Sequence, residues 1–263
     1  MKHILVTGAT GGMGKAICES LVKKGYKVYG IDYRIGEEIN GVEFYECDVT
    51  DTKSVEKVYE SINAQAERLD GIVHTAGIYD MDSLIEMSEE RFTRIFDINV
   101  FGVYRINKIF FPLMHKGSRI IVTSSELAPL DPLPFTGLYG ITKTTLEKYA
   151  FSLRMEANLL DIPVSIIRPG AVKTGLLNIS TTAIDKFVDK TELYKTMAVR
   201  FKKIVDSVES RNVKPEVIAD KVLSALESKS PKYIYNINRN PLLRLLDFLP
   251  DKMQVEIIGM ILK

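Results

Sequence analysis

Tyr139 and Lys143 stand four residues apart, so on a helix they share one face and can point into one cleft. A free tyrosine titrates at about 10 and is a poor base at neutral pH. A lysine charge beside it favours the phenolate, and the positive ring of an oxidised nicotinamide acts in the same sense. The pair could then pass a proton to or from an alcohol or a ketone. Alone, a Tyr-x-x-x-Lys spacing is equally a surface helix pair. It acquires chemical meaning only beside a hydride carrier.

The residues for such a carrier lie at the start of the chain. The first strand-like run ends in Thr7-Gly8-Ala9-Thr10-Gly11-Gly12-Met13-Gly14, and a helical pattern follows over residues 15–23. A turn this tight between strand and helix needs residues without bulk. It lets a pyrophosphate approach the N–H groups of the helix N-terminus. The second strand ends in Gly30-Ile31-Asp32, 24 residues after Gly8. A carboxylate there accepts hydrogen bonds from the adenosine ribose hydroxyls and repels a 2′-phosphate, which favours NAD over NADP. Arg34 argues the other way, because an arginine nearby can bind that phosphate. After the third strand, Asp48 either faces the adenine or caps the helix that starts at Thr50-Asp51.

The elements that must position these residues show in the hydrophobic pattern. Strand-like runs fall at 3–6, 27–31, 42–45, 71–74, 119–123, 164–167 and 233–235, and helical patterns at 55–66, 91–114 and 142–160. Strand and helix alternating at this interval predict right-handed βαβ units around a parallel sheet covered on both faces. The expectation is α/β: a doubly wound Rossmann fold with a seven-stranded parallel sheet, as one domain over residues 1–263. The rhythm fails at 175–212 and at 240–263.

Taken together, these motifs resemble the short-chain dehydrogenase/reductase family over residues 1–235. Thr7–Gly14 fits its T-G-x-x-x-G-x-G cofactor turn, and Tyr139–Lys143 fits its Y-x-x-x-K. Ile98-Asn99-Val100-Phe101-Gly102 resembles the segment carrying the family's catalytic asparagine. Ile120-Ile121-Val122-Thr123-Ser124-Ser125 resembles the strand that ends at its serine. Arg168-Pro169-Gly170-Ala171-Val172-Lys173-Thr174 resembles the P-G-x-x-x-T segment that grips the nicotinamide carboxamide. The resemblance implies Tyr139 as general acid/base, Lys143 as its partner and as a holder of the nicotinamide ribose, and Ser125 as the hydroxyl bonded to the substrate oxygen. Asn99, through its backbone at a helix kink, would hold a water that relays protons to Lys143. Thr7, Gly8, Thr10, Gly12, Met13, Gly14, Asp32, Asp48 and Val49 would bind the adenosine and pyrophosphate. Ala76, Gly77, Asn99, Tyr139, Lys143, Pro169, Gly170, Val172 and Thr174 would bind the nicotinamide half.

Two departures stand out. Ser125 and Tyr139 are 14 residues apart, one more than the family's usual spacing, so Ser124 competes with Ser125; the intervening loop holds Pro129, Pro132 and Pro134. The family's N-N-A-G reads His74-Thr75-Ala76-Gly77, with His74 expected to buttress the strand end. Thr7–Gly14 also satisfies T-G-x-x-G-x-x-G, the turn of the extended branch of epimerases and dehydratases. Too few residues follow Arg168 for that branch's second domain, which favours the short, single-domain branch.

Residues 175–212 correspond to the family's substrate lid. Apolar residues there, among them Leu176, Leu177, Ile179, Ile184, Phe187 and Phe201, with Tyr79 and Phe135 beside them, suit an apolar alcohol or ketone. At helical spacing such residues are equally packing groups. The apolar tail at 240–263 either buries against the domain or a second copy, or makes a weak contact with a membrane surface. The family implies a homodimer or homotetramer through the helices around Asn99 and Tyr139.

The whole chain has 263 residues, 46% hydrophobic and 26% charged, with a net charge of +1. That balance argues against nucleic acid as a partner. Cys18 and Cys47 match no disulfide framework, and no residues suggest a metal site. A strand from residue 3 leaves no room for a signal peptide, so a cytoplasmic protein is expected. The expected activity is hydride transfer between NAD(H) and an alcohol or ketone. An epimerase- or dehydratase-type enzyme and a non-catalytic cofactor sensor are the alternatives; sensors typically lose the tyrosine or lysine kept here.

Overall fold

Runs of Val, Ile and Leu without polar alternation form stable strands only when both faces are covered, and the chain meets that demand. In the computed structural model, β1 (His3–Thr7), β2 (Lys27–Asp32), β3 (Val42–Glu46), β4 (Leu69–His74), β5 (Met114–Thr123), β6 (Val164–Pro169) and β7 (Ile234–Ile237) make one parallel sheet in the order β3-β2-β1-β4-β5-β6-β7. The structure describes residues 1–131, 133–209 and 211–263, with backbone alone at 175–181 and 208–209. Pro132 and the side chains of Leu176, Leu177 and Ile179 therefore lie outside the described residues.

Successive strand residues point to opposite faces. Ile4 and Val6 pack with Ile17 and Leu21 of α1 (Gly12–Lys23) and with Ile218 and Val222 of α8 (Pro215–Glu227). Leu5 packs on the other face with Val55 and Val58 of α2 (Thr52–Asn63) and with Ile106 and Phe110 of α4 (Gly102–Phe110). On that same face, α5 (Gly137–Asn158) lays Leu146 and Ala150 on β5 and β6. The register pairs Thr7 with His74 and His74 with Val122, so the carboxyl ends of β1, β4 and β5 open at one edge. Strand order reverses between β1 and β4, where open α/β sheets bind their ligands.

The helical pattern over 91–114 is broken into pieces. α3 (Glu89–Phe96) runs into a π-helical turn, Asp97–Phe101, before α4 begins. A 3₁₀ turn, Phe111–Leu113, then ends the helix, and Met114 already belongs to β5. Pro112 supplies no backbone N–H for a further helical turn.

The rhythm fails at 175–212 and 240–263 because helix follows helix with no strand between. α6 (Gly175–Lys190) and α7 (Lys195–Glu209) pack on each other through Ile184, Phe187, Ala198 and Phe201, the packing role their spacing allowed. Pro250 separates α9 (Pro241–Asp247) from α10 (Asp251–Leu262). Leu262 is buried against α7, but Leu242 is 67% and Phe248 78% exposed. The tail is therefore only half covered by its own chain. Among the described residues no helix is long and apolar enough to cross a membrane, and no cluster of side chains could hold a metal ion.

Candidate active site

The glycine turn is held by close approach rather than by general flexibility. Gly8 has φ of 66°, and a Cβ there would sit 2.6 Å from the Ala76 nitrogen. A Cβ on Gly14 would sit 2.0 Å from the Gly8 carbonyl oxygen, so α1 could not start against the turn. One on Gly12 would meet Thr174 at 2.7 Å, which brings the first turn against the segment after β6. The Thr7 hydroxyl accepts from the Thr75 and Ala76 N–H groups at 3.2 and 3.1 Å and ties β1 to the β4 end.

Beyond this turn lies a cavity of about 1000 Å³ lined by Gly8, Asp32, Asp48, Val49, Ala76 and Gly77, among others. Asp32 Oδ2 accepts from the Thr10 N–H at 3.0 Å and its hydroxyl at 2.7 Å, and Oδ1 accepts from the Tyr33 N–H. The carboxylate is thereby fixed at the cavity wall. Arg34 is exposed, its guanidinium 5.6 Å from the Tyr33 ring centre. Asp48 lines the cavity and closes a small turn onto Thr50, while Asp51 caps α2 by accepting from the Lys53 N–H. Of the two roles open to Asp48, capping has gone to Asp51.

A narrower cleft of about 160 Å³ shares Thr75, Gly77 and Ile78 with that cavity. Its walls bring together Ser124, Ser125, Tyr139, Lys143, Met13, Pro169, Gly170, Val172 and Thr174. The Ser125 hydroxyl accepts from the Leu127 N–H at 3.2 Å and lines the cleft with the Tyr139 phenol, whereas the Ser124 hydroxyl is buried without a partner. The extra loop residue is thus absorbed with Ser125 in reach; Phe135 in this loop takes φ of 64°, and Thr144 of α5 donates to the Ala128 carbonyl at 2.8 Å. Lys143 Nζ donates to the Thr123 carbonyl at 3.1 Å and lies 5.6 Å from the centre of the Tyr139 ring. Tyr79 packs on that ring at 4.6 Å, as its expected place in the cleft requires. Phe135 does not line the cleft; it packs among Phe187, Tyr194 and Phe201 beneath α6 and α7.

Asn99 sits in the π-helical turn. Its side-chain amide clamps Ile78 in the loop after β4, accepting from the Ile78 N–H at 2.8 Å and donating to the Ile78 carbonyl at 2.9 Å. It also donates to the Thr142 hydroxyl at 3.2 Å, which fastens the turn to α5 beside Lys143. The kink expected at Asn99 is present as this π turn. His74 buttresses the strand end as expected: Nε2 meets the Asn107 oxygen at 2.9 Å, and burial lowers its pKa to about 4.

Burial raises the Tyr139 phenol to about 12, against the opposing Ser125 bond. It lowers Lys143 to about 8, opposed by the charge of Glu147 one helical turn on. The protein's own groups, without a cofactor, leave the phenol above the neutral range. Glu147 is itself paired with Arg168, whose Nε donates to it at 2.7 Å.

Glu126 and Leu243 are among the cleft residues that escaped sequence reasoning. Glu126, next after Ser125, read only as loop, and Leu243 of α9 read only as apolar tail. Their place depends on a contact across 114 residues, where Glu126 Oε2 accepts from the Asn240 N–H at 2.6 Å.

A parallel seven-stranded sheet with this glycine turn, serine, tyrosine and lysine at its carboxyl edge defines a nicotinamide-dependent oxidoreductase fold. The short chain dehydrogenase profile matches residues 2–184, and the chain belongs to that family. A 3-ketodihydrosphingosine reductase of Bacteroides thetaiotaomicron is 28% identical over 256 residues, 95% of this chain and 94% of that protein. An NADPH-dependent 3-dehydrocapnine reductase of Ornithobacterium rhinotracheale is 27% identical over 269 residues, covering 96% and 94%. The ligand-free aldohexose dehydrogenase of Thermoplasma acidophilum superposes with a TM-score of 0.77 at 24% identity, covering 95% and 96%, and shares the fold.

Proposed function

We propose that this chain reduces an apolar ketone to its alcohol with NADH, the reverse reaction using NAD. The observation that carries the reading is the convergence of buried Ser125, Tyr139 and Lys143 in a narrow cleft that joins the glycine-turn cavity at Gly77 and Ile78. Thr7, Gly8, Thr10, Gly12, Met13 and Gly14 would hold the pyrophosphate end; Asp32, Asp48 and Val49 the adenosine; Ala76, Gly77, Pro169, Gly170, Val172 and Thr174 the nicotinamide. The cofactor supplies the hydride. Ser125 donates a hydrogen bond to the substrate carbonyl, and Tyr139 gives that oxygen its proton. Lys143 holds positive charge behind the phenol and replaces its proton. Asn99 keeps the π turn open so that a water at its backbone can refill Lys143.

A phenol raised to about 12 stays protonated at neutral pH and is ready to donate, which fits reduction. The names of the sphingosine- and capnine-series relatives, both reductases, support the same direction. Met13, Leu127, Val172 and Leu243 make the cleft walls apolar. Oligomerisation would use α4 and α5, where Tyr104, Phe151 and Met155 are exposed.

The cofactor choice rests on Asp32, whose fixed charge would repel a 2′-phosphate. Initial rates with NADH and NADPH on aliphatic ketones and on aldoses test the reading. NADH-linked turnover of the ketones, and an NADH:NADPH preference reduced at least about tenfold in Asp32→Ala, are expected, an effect of about 1.4 kcal/mol. Activity confined to aldoses, or a preference indifferent to Asp32→Ala, would contradict it.

A further inference from the structure

The cleft has one wall that the sheet and its covering helices do not supply. Its other lining residues fall between Met13 and Thr174, whereas Leu243 belongs to α9, beyond β7. The chain reaches that place through residues 237–240, which pass hard against the segment after β6. The Gly170 N–H donates to the Ile237 carbonyl at 2.8 Å, and a Cβ on Gly170 would stand 2.1 Å from the Asn238 carbonyl oxygen. Asn238 takes φ of 54°, a left-handed turn that asparagine tolerates, and its Nδ2 donates to the Ala171 and Arg211 carbonyls at 3.0 and 2.6 Å. Glu126 Oε2 then accepts from the Asn240 N–H at 2.6 Å, and the Asn240 side chain accepts from the Leu242 N–H at 2.9 Å to start α9. This strap is fastened at its root by polar contacts. Past the root it is a seven-residue helix with Leu242, Leu245 and Phe248 exposed and Leu243 half-buried at the cleft.

The cleft holds about 160 Å³, which is little for what the reaction must bring together. A cavity of about 150 Å³ takes one benzene. Pro169, Gly170, Val172 and Thr174, which would hold the nicotinamide ring, wall the same space as Ser125 and Tyr139. A ketone beside that ring needs a wall to give way, and the strand ends and α5 are locked into the packed sheet. We infer that Leu243 is a specificity-determining residue, the wall whose side chain sets how bulky a ketone the cleft admits. The inference rests on the reading of Ser125 and Tyr139 as the groups that take the ketone oxygen. A small ketone displaces Leu243 little. A bulky one must push the leucine from its seat and pull on the root that Glu126 fastens, which forfeits packing contacts on both sides.

The test compares cyclohexanone with 4-tert-butylcyclohexanone, ketones of like reactivity that differ only in bulk across the ring from the carbonyl. Their kcat/KM values are measured at saturating cofactor in the full-length enzyme and in Leu243→Ala, Leu243→Phe and Leu242→Ala. The wild-type enzyme should favour the smaller ketone. In Leu243→Ala the ratio of bulky to small should rise at least about tenfold, chiefly through KM, the scale of a few methyl groups in an apolar pocket. In Leu243→Phe the ratio should fall below the wild-type value. Leu242→Ala trims the same helix on its exposed side and should keep the wild-type ratio. A ratio unmoved by Leu243→Ala, or moved as far by Leu242→Ala, overturns the inference. If Leu243→Ala fails to fold, a wild-type ratio in Leu243→Phe overturns it as well. Equal turnover of both ketones by the wild-type enzyme overturns the inference alone. Turnover of neither ketone by any of these proteins overturns the carbonyl-reductase reading and the inference with it.

Discussion

Burial displaces Tyr139 and Lys143 in opposite directions, each toward its neutral form: the phenol to about 12 and the ammonium to about 8. Only the lysine then changes charge within the ordinary working range. Reduction measured as kcat/KM against pH should hold steady through neutrality and fall along a limb near pH 8, as Lys143 loses its proton. Lys143→Arg keeps its charge at all these pH values, so it should be slower but without that limb. A limb surviving in the arginine variant would assign the titration to another group. Tyr139, Lys143 and Asn99 were legible from sequence because each sits in a short motif whose spacing its own element preserves. Ser124 against Ser125 was not, since one loop residue decides it, and both hydroxyls line the cleft. Glu126 was invisible for a different reason: its burial is made by Asn240 and Gly170, far away in the chain.

The elements that hold the site trade regularity for position. Periodicity over 91–114 shows one long helix, because a single wider turn leaves the apolar stripe nearly in phase. The π turn at Asp97–Phe101 is what lets the Asn99 amide reach Ile78 and Thr142. At the end of β4, His74 continues through Asn107 to the Tyr149 hydroxyl, a buried chain between β4, α4 and α5. His74 is neutral in the folded protein down to about pH 4, while in the unfolded chain it takes a proton near pH 6.5. Its contribution is thus fully present above pH 6.5 and is lost as pH falls toward 4, a change of about 3 kcal/mol at about 1.4 kcal/mol per unit. Urea unfolding of His74→Asn at pH 7 and pH 4.5 should show a stability drop smaller than the wild-type drop by about 2 kcal/mol. Equal drops would mean that His74 does not set the acid sensitivity.

Across the whole molecule, the seven parallel strands follow from alternating apolar runs and amphipathic helices, so the sheet was readable, although β5 begins at Met114, five residues before the strand expected at 119–123. The helices of 175–209 and 241–262 were less so. Their apolar residues fit packing, a lid or a tail equally well until the fold places α9 at the cleft and α10 against α7. The result is a molecule whose cofactor cavity and narrow cleft meet at Gly77 and Ile78, with the phenol at the junction's far wall. Tyr139→Phe tests this arrangement most directly, because it removes one oxygen from a ring that Tyr79 already packs in place. Cofactor binding, followed by the quenching of protein fluorescence, should be unchanged, while turnover of a ketone should fall at least about 100-fold, the scale of a lost general acid. A Tyr139→Phe enzyme that binds cofactor and still turns over at the wild-type rate would contradict the account.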